Sequence, residues 1–332
     1  MTMVDDRQIL QLLTDGGFHS GVELAARLGL SRTAVWKRLQ QLKSTLGIDL
    51  YAVSGKGYKL AKPLQLLEPE RLQKLLRQTK ALTPLPEIEV HMSVDSTNHQ
   101  ALEMAKQSPQ TARLILAEMQ TAGRGRRGRQ WQSPFGCNLY MSLYWWFDVM
   151  PESIASLSLV VGVSLAKCLE ALGIPRCELK WPNDVRYQGK KLAGILLEMQ
   201  GEASGGCGIV IGLGVNLDMP NSDAEQIDQP WTDVKRITGQ AIDRNQFAAR
   251  LVLTLMEMLS QYNQETLDNF LEDWRQRDAL YGQAVRLELP SETLSGVARG
   301  IDAQGALLLE QDGRIQRFFS GELSVRLAEQ TT

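Results

Sequence analysis

A run of arginine and glycine lies near the middle of the chain, at residues 123–131, with the sequence Gly-Arg-Gly-Arg-Arg-Gly-Arg-Gln-Trp. Three glycines and four arginines occupy its first seven positions. Guanidinium groups match the geometry of phosphate and carboxylate, and clustered cations repel one another unless an anion lies between them. Glycine also loses much conformational freedom when it is fixed. We therefore expect a loop that is mobile when empty and becomes ordered over a phosphate-bearing ligand.

The glycines of this loop match G-x-G-x-x-G, but the sequence around them does not fit a dinucleotide site. That motif must open a helix whose N-terminus faces the pyrophosphate. Here Ser133-Pro134-Phe135-Gly136 follows instead, and apolar runs at 114–117 and 138–145 flank the loop as two strands would. The sequence also contains no P-loop pattern. Non-specific binding of nucleic acid by a basic run is the alternative interpretation.

The composition limits the classes of protein to consider. A chain of 332 residues is long enough for two or three domains. Its net charge of −2 excludes a wholly polybasic nucleic-acid binder, so any such binding must come from a local patch. The N-terminus lacks the regions of a signal peptide, and no apolar run reaches the ~20 residues of a membrane span. We expect a cytoplasmic protein that does not bind membranes. The cysteines and histidines show no metal-binding spacing, so no metal site is predicted from them.

Residues 1–62 have the pattern of a winged helix-turn-helix domain. Ser31 is a good N-cap for the third helix, in which Val35, Leu39 and Leu42 form a buried stripe. A hairpin at 51–60 follows as the wing. From Ser31 to position 60 there are six basic residues and one acid, which favours binding to DNA phosphates over the alternative of protein contacts. The predicted DNA-binding residues are Ser31, Arg32, Thr33, Trp36, Lys37, Gln40 and Lys56, although Trp36 could instead pack in the core.

Residues 67–278 read as a central domain of alternating helices and strands. The segment Asp95-Ser96-Thr97-Asn98 starts a helix, where its hydroxyl and amide groups can cap the helix or face a ligand. A strand at 209–217 contains Gly212 and Gly214, which allow close approach of a ligand or of a packed neighbour. From residue 279 to 332 the pattern changes to short strands separated by turns, which predicts a small all-β barrel.

Three motifs in this order resemble one family of proteins. They are Arg124-Gly125-Arg126-Arg127-Gly128, Lys180-Trp181-Pro182-Asn183-Asp184 and Gly189-Lys190-Lys191-Leu192-Ala193-Gly194-Ile195-Leu196. Together with the domain pattern, they resemble the bifunctional biotin–protein ligases that also repress the biotin operon. The resemblance implies an α+β protein with an N-terminal winged helix-turn-helix, a central mixed-sheet α/β catalytic domain of the biotin/lipoate ligase type and a C-terminal SH3-like β-barrel.

This resemblance also implies an activity. The carboxylate of biotin would attack the α-phosphorus of ATP to form biotinyl-5′-AMP, with Mg²⁺ helping, and a lysine of biotin carboxyl carrier protein would then accept the biotin. Joining two anions requires positioning and charge neutralisation. The adenylate would induce a homodimer that binds operator DNA. Two alternatives are a ligand-sensing regulator without ligase activity and a lipoate-type acyl ligase.

The resemblance assigns roles to individual residues. Lys191, Arg124, Arg126 and Asp184 are the implied catalytic residues. Lys191 reaches both the biotin carboxylate and the α-phosphate, and Asp184 orients or deprotonates the incoming lysine, with orientation favoured because an ordinary aspartate is a poor base for lysine. The implied biotin site includes the two glycines of the apolar strand. Its residues are Ser96, Thr97, Asn98, Gln120, Arg124, Gly125, Arg126, Lys191, Gly212 and Gly214. The implied nucleotide site consists of Lys180, Asn183, Asn216 and Trp231, with Trp231 near the adenine.

Overall fold

The computed structural model of the protein describes residues 6–78, 84–151, 153–201, 206–221, 225, 227–262, 264–320 and 323–327. Its elements form three groups along the chain. The N-terminal group consists of the helices α1 (Asp6–Gln11), α2 (Gly21–Leu28) and α3 (Arg32–Leu46) and the antiparallel hairpin of β1 (Leu50–Val53) and β2 (Gly57–Leu60).

Local signals set the limits of the helix-turn-helix pair. Ser20 and Ser31 cap α2 and α3 by accepting backbone N–H groups of the first turn, and α2 ends at Gly29, which has φ 63°. The buried stripe of α3 includes Val35 and Leu39 as predicted. Trp36 is 48% exposed, so it lies on the outer face of the helix and not in the core. The predicted helix-turn-helix fold is confirmed.

The core of the N-terminal group extends beyond its own elements. Leu66, which follows the hairpin, and Phe135, which follows the arginine-rich loop, are buried in the same cluster as the helices α1 to α3. Met92 and Met119 of the central group pack against it. The N-terminal group therefore packs against the central group through apolar contacts and is not connected to it by a linker alone.

The central group contains seven strands and six helices in the described residues. The strands are β3 (Glu87–His91), β4 (Arg113–Ala117), β5 (Leu139–Phe147), β6 (Glu178–Lys180), β7 (Asp184–Tyr187), β8 (Lys190–Gly201) and β9 (Cys207–Val215). The helices are α4 (Pro69–Gln78), α5 (Thr97–Ala105), α6 (Ile154–Glu170), α7 (Val234–Thr238), α8 (Arg244–Ser260) and α9 (Gln264–Arg277).

The seven strands form one mixed sheet in the order β3-β4-β5-β9-β8-β7-β6. The β3–β4 pair is parallel, and the other pairs are antiparallel. Helix α5 covers one face through Ala101 and Ala105, while α6 and α8 belong to the large core on the other face. Because both faces are covered, β4 and β9 are almost continuously buried and apolar. This arrangement confirms the predicted mixed-sheet domain.

The C-terminal group is an antiparallel sheet of five strands in the order β13-β12-β11-β10-β14. Their limits are β10 (Ala284–Glu288), β11 (Thr293–Ile301), β12 (Leu307–Gln311), β13 (Arg314–Phe318) and β14 (Ser324–Leu327). The all-β character agrees with the prediction, but β13 was not predicted, because it is an exposed, largely polar edge strand. Among the helices described, none is long and apolar enough to cross a membrane.

A buried ion pair joins the central group to the segment that leads out of the N-terminal group. Arg244 Nη1 lies 2.7 Å from Glu118 Oε2, and the two side chains are 5% and 0% exposed. The second oxygen of Glu118 accepts the Leu67 N–H at 2.6 Å, and Arg244 also donates to the carbonyls of Gln65 and Asn138. Both carboxylate oxygens of Glu118 and all three guanidinium nitrogens of Arg244 therefore have a hydrogen-bond partner, as a buried ion pair requires.

The Arg244→Met substitution should destabilise the protein strongly, because it leaves the Glu118 carboxylate buried without its counter-ion. We expect a loss of about 3–5 kcal/mol in the free energy of unfolding, measured by urea denaturation. Arg299→Met is the matched control, since it removes an ion pair with Glu310 that is partly exposed and worth about 0–1 kcal/mol. Similar losses in the two variants would contradict this expectation.

Candidate active site

A cleft of about 540 Å³ lies between the central sheet, the arginine-rich loop and the end of β14. The structure brings every residue predicted for biotin, nucleotide or catalysis to its wall. These residues are Ser96, Thr97, Asn98, Gln120, Arg124, Gly125, Arg126, Lys180, Asn183, Asp184, Lys191, Gly212, Gly214, Asn216 and Trp231. They come from elements spread over more than a hundred positions of the chain, so the fold is what collects them.

The arginine-rich loop connects β4 to β5, as predicted, and is itself a small hairpin. Gly125 N–H donates to the Arg129 carbonyl at 2.7 Å, and Trp131 N–H donates to the Gly123 carbonyl at 2.9 Å. Its tip is a single 3₁₀ turn, Arg126–Gly128, in which Arg127 has φ 56°. The glycines therefore serve a tight backbone turn and do not open a helix.

Two arginines of the loop face the C-terminal sheet. Arg126 Nη2 donates to the Ser320 carbonyl at 3.1 Å, and Arg127 Nη1 lies 3.7 Å from Glu288 Oε2 in β10. Burial lowers the pKa of the Arg126 guanidinium, and nearby Arg127 lowers it further, while the carboxylate of Asp184 opposes this. The guanidinium thus lies in a confined cationic environment in which an anionic ligand would be favoured.

The polar end of the cleft is a hydrogen-bonded cluster at the start of α5. Gln120 Oε1 accepts the Thr97 N–H at 2.9 Å, and Ser142 Oγ lies 2.8 Å from Thr97 Oγ1 and 2.6 Å from Asn98 Oδ1. Ser96 occupies the N-cap position of α5, but its side chain makes no capping bond. Capping alone therefore does not explain the hydroxyl at Ser96, which is available to a ligand in the cleft.

The glycines of β9 make room for side chains of the cleft. A Cβ at Gly212 would lie 2.0 Å from Asn98 Oδ1, and a Cβ at Gly214 would lie 2.4 Å from Trp131 Cε2. Contacts this short are impossible for a real Cβ without displacement of the neighbour. The groups that closely approach these glycines are therefore the side chains of Asn98 and Trp131, both of which line the cleft.

Glu198 of β8 links the polar cluster to the loop. Its Oε2 accepts from Asn98 Nδ2 at 2.7 Å, and Arg124 Nη2 lies 3.4 Å from its Oε1. Neither Glu198 nor Ser142 was predicted from the sequence as a site residue. Ser142 interrupts the apolar run of β5, and Glu198 directly follows the apolar run 192–197 of β8. This was the available signal, since a buried polar side chain usually has a hydrogen-bonding partner.

The cationic end of the cleft is built around Lys191. Its Nζ lies 2.8 Å from Asp184 Oδ1, with the two side chains 15% and 14% exposed, and 5.3 Å from the centre of the Trp131 ring. Trp131 was not among the predicted site residues, although it ends the arginine-rich run. The ring closes the space between the loop and β9, and its Nε1 is buried and has no hydrogen-bond partner.

Lys180 and two asparagines complete this end of the cleft. Burial lowers the pKa of Lys180 to about 8; the positive charges of Arg186 and Lys191 lower it as well, and Asp184 opposes them. Asn183 Nδ2 donates to the Ile195 carbonyl at 2.7 Å, so this side chain holds β8 in place. Asn216 Nδ2 donates to the Thr232 carbonyl at 3.2 Å, whereas its buried Oδ1 has no partner.

The predicted DNA-binding residues lie outside the cleft, on the surface of the N-terminal group. Exposed positions of α3 and its N-cap are Ser31, Arg32, Thr33, Trp36, Lys37 and Gln40. Lys56 at the tip of the hairpin is exposed as well, and its Nζ lies 5.7 Å from the centre of the Phe18 ring. The side chains therefore form a polar and cationic face around the second helix of the helix-turn-helix pair.

Comparisons with known proteins agree with this division. Residues 90–216 match the biotin/lipoate A/B protein ligase family, residues 6–59 match an HTH domain and residues 280–326 match the biotin protein ligase C-terminal domain. The fold is similar to that of biotin protein ligase from Aquifex aeolicus in complex with biotin and ATP, with a TM-score of 0.61 and 28% identity over 74% of this chain and 100% of that chain.

Two curated relatives are similar along almost their whole length. The chain is 42% identical over 322 residues to the bifunctional ligase/repressor BirA of Salmonella typhimurium, with 97% of each chain covered. It is 40% identical over 323 residues to the bifunctional ligase/repressor BirA of Escherichia coli K12, again with 97% of each covered. The protein with this cleft and this helix-turn-helix therefore belongs to the family of bifunctional ligase/repressor proteins.

Proposed function

We propose that the protein activates biotin with ATP to biotinyl-5′-AMP, transfers biotin to a lysine of biotin carboxyl carrier protein and represses a biotin biosynthesis operon. The observation that carries the ligase function is the single cleft in which Lys191, Arg124 and Arg126 converge beside a cluster of hydroxyl and amide groups. The cations suit the carboxylate and phosphate groups. The neutral polar cluster suits the uncharged ring end of biotin.

The first step joins two anions. One oxygen of the biotin carboxylate forms a bond to the α-phosphorus of ATP, the bond from that phosphorus to the β-phosphate bridge breaks, and pyrophosphate leaves. Lys191 and the loop arginines would offset the repulsion between the reactants and the charge that develops on the phosphorus oxygens. Asp184 pairs with Lys191 and Glu198 pairs with Arg124, so these two cations are held at the wall of the cleft before the ligand binds.

The second step transfers the acyl group. The neutral carrier lysine amine attacks the carbonyl carbon of the mixed anhydride. An amide bond forms as the bond from that carbon to the phosphate oxygen breaks, AMP leaves, and the proton of the amine passes to solvent. Asp184 is the cleft carboxylate placed to orient that amine, because it already lies 2.8 Å from the lysine amine of the protein itself. Deprotonation of a lysine by an ordinary carboxylate is unfavourable, so orientation is the role we assign to Asp184.

Mg²⁺ is expected to accompany ATP. The described residues contain no group of three or more His, Cys, Asp or Glu side chains placed to hold a metal ion. Nucleotide-bound Mg²⁺ needs only one or two protein ligands, because phosphates and water supply the rest. The unpartnered Asn216 Oδ1 is suited to coordinate the ion directly or to accept a hydrogen bond from one of its waters. When bound, the ion would neutralise phosphate charge.

The repressor function rests on the exposed face of α3 and the wing. Six basic residues and one acid lie between Ser31 and Leu60, so this face is cationic although the whole chain has a net charge of −2. Such a patch supplies the salt-dependent phosphate contacts of DNA binding, and a helix in the major groove supplies base contacts. Working domain limits are residues 1–62 for this function, 67–278 for catalysis and 279–332 for the C-terminal domain.

Coupling between the two functions would operate through assembly. A homodimer induced by biotinyl-5′-AMP would present two winged helices to two operator half-sites, and the carrier protein would compete for the same surface. The two functions are coupled only if the adenylate binds the dimer more tightly than the monomer. Biotin ligation and operator binding would both take place in the cytoplasm, where ATP and operator DNA are available.

Release of pyrophosphate tests the ligase function against its alternatives. The full-length protein is incubated with ATP and with biotin, lipoate or octanoate, and a carrier domain is then added to follow acyl transfer. Biotin-dependent release followed by transfer is the expected result. Release of pyrophosphate with lipoate or octanoate, but not with biotin, would identify a lipoate-type acyl ligase. No release with any acid would leave a ligand-sensing regulator.

Lys191→Ala should slow formation of the adenylate by about 100-fold or more, because a cation that stabilises charge in the transition state is lost. Single-turnover release of pyrophosphate measures this rate. Lys190→Ala is the matched control, since Lys190 is the neighbouring exposed lysine and does not line the cleft. Unchanged kinetics in the Lys191 variant would remove this residue from the mechanism.

Binding of ATP should weaken as the pH rises from 7 to 9. Lys180 has a pKa lowered to about 8, so it is charged below that pH and loses its attraction for the triphosphate above it. The substitution Lys180→Arg, which keeps a positive charge in this range, should flatten the pH profile of the KM for ATP. A wild-type profile that is flat from pH 7 to 9 would argue against a role for Lys180 in nucleotide binding.

Lys37→Ala should weaken operator binding and reduce the slope of log K against log salt by about 1, because one phosphate contact is lost. Fluorescence anisotropy with labelled operator DNA over a range of salt concentrations measures both quantities. Lys74→Ala, at an exposed lysine of α4, is the control and should change neither. Both variants should keep full ligase activity, and a drop in ligase activity for Lys37→Ala would indicate a folding defect instead.

A further inference from the structure

An acidic and a basic side chain at the start of α7 bind the chain at Met219 and Asn221. Asp233, which is 1% exposed, accepts the Met219 N–H at 3.2 Å and the Arg236 N–H at 2.7 Å. Arg236 Nη2 donates to the Met219 carbonyl at 3.4 Å and to Asn221 Oδ1 at 2.5 Å, and its Nε lies 3.2 Å from Asp233 Oδ2. Met219 is thus bonded through both its N–H and its carbonyl. We call Asp233 and Arg236 the α7 clasp.

The guanidinium of Arg236 also stacks on the ring of Trp231. Its Cζ lies 3.9 Å from the centre of the ring. Trp231 and Met219 line the cleft, whereas Arg236 does not. The guanidinium therefore covers one face of the Trp231 ring and leaves the other face uncovered by Arg236.

The backbone on either side of Trp231 is fixed as well. Lys191 N–H donates to the Pro230 carbonyl at 2.9 Å, and the Thr232 N–H donates to the Lys191 carbonyl at 2.9 Å. The backbone bonds set where Trp231 is attached, next to the central cation of the cleft. They do not set the rotation of its ring, which is the task left to the stacked guanidinium.

We propose that the α7 clasp positions the nucleotide base: Arg236 fixes the plane of the Trp231 ring so that the adenine of ATP stacks on the face that Arg236 leaves uncovered. This inference rests on the proposed ligase function. Stacking on an aromatic face suits any base, and a ring that is already held loses less conformational freedom when the base binds. Arg236 and Asp233 are positioning residues in this scheme, because neither lines the cleft.

The plane and the fork of the guanidinium both matter. A lysine at this position would keep the charge but lose the flat surface and the spread of donors that reach Met219, Asn221 and Asp233. The clasp should therefore be sensitive to Arg236→Lys as well as to Arg236→Met. A role limited to net charge would be sensitive to the second substitution alone.

Calorimetric titration of the full-length protein tests the clasp with two probes, ATP and inorganic triphosphate. Arg236→Met should raise the Kd for ATP by about fivefold to thirtyfold, the range that corresponds to loss of a stacked cation and its bonds. Arg236→Lys should give a smaller rise. The Kd for inorganic triphosphate, which has no base, and the Kd for biotin should be the same as for the wild type.

Lys235→Met is the matched control on the same helix. It removes an ion pair of 2.7 Å between Lys235 and Asp218, whose side chains are 38% and 39% exposed, without a contact to the ring of Trp231. The same number of charges is lost as in Arg236→Met. An unchanged Kd for ATP in this variant would show that the effect belongs to the stacked guanidinium.

Two results would overturn the proposal. One is a Kd for ATP in Arg236→Met equal to that of the wild type. The other is an equal loss for ATP and inorganic triphosphate, since this would mean lost charge or general loosening. A wild-type protein that binds ATP but releases no pyrophosphate with biotin would refute the ligase function alone, because the ratio of the two Kd values decides the clasp without any turnover.

Discussion

The buried pair of Glu118 and Arg244 is the contact on which the arrangement of this molecule depends. Glu118 directly follows β4, where the chain leaves the sheet for the arginine-rich loop, and its backbone carbonyl accepts the Gly136 N–H at the other end of that loop. Arg244 starts α8 and donates to the carbonyl of Asn138, where β5 begins. Both ends of the arginine-rich loop are therefore held by the same buried pair.

The wall of the cleft carries more cations than carboxylates, and two of these cations are already paired before a ligand binds. Asp184 and Glu198 each hold one cation, and the 3.4 Å separation between Arg124 and Glu198 is longer than a strong charge-assisted bond. A phosphate or carboxylate could therefore take over the guanidinium at little cost. The two carboxylates hold the cationic side chains in place. They also lower the affinity of the empty site for anions other than its ligand.

Much of the fold could be predicted from local patterns. The face of α3 around Trp36 follows from helical periodicity and the cap at Ser31, and the position of the loop between two strands follows from its apolar flanks. β13 escaped because Arg-Ile-Gln-Arg-Phe is a polar edge strand without a buried face. Its pairing with β12, and not its own composition, makes it a strand.

The part of the cleft that escaped prediction consists of partnerships between distant residues. Asn98 and Ser142 are 44 positions apart and Asn98 and Glu198 are 100 positions apart, so no spacing rule connects them. Arg236 lies only five positions from Trp231, but its stack on the ring depends on how α7 begins after Trp231 and not on a spacing pattern. The three motifs located the cleft, but its hydrogen bonds depend on the register of β5, β8 and β9.

The apolar core shared between the N-terminal and central groups bears on how the two groups can be separated. Phe135, Met92 and Met119 belong to the central group, yet they pack in the core of the N-terminal group. A chain without its N-terminal group would expose these apolar side chains to water, and exposed apolar patches favour aggregation. Polar residues at these three positions would be needed to keep such a shortened chain soluble.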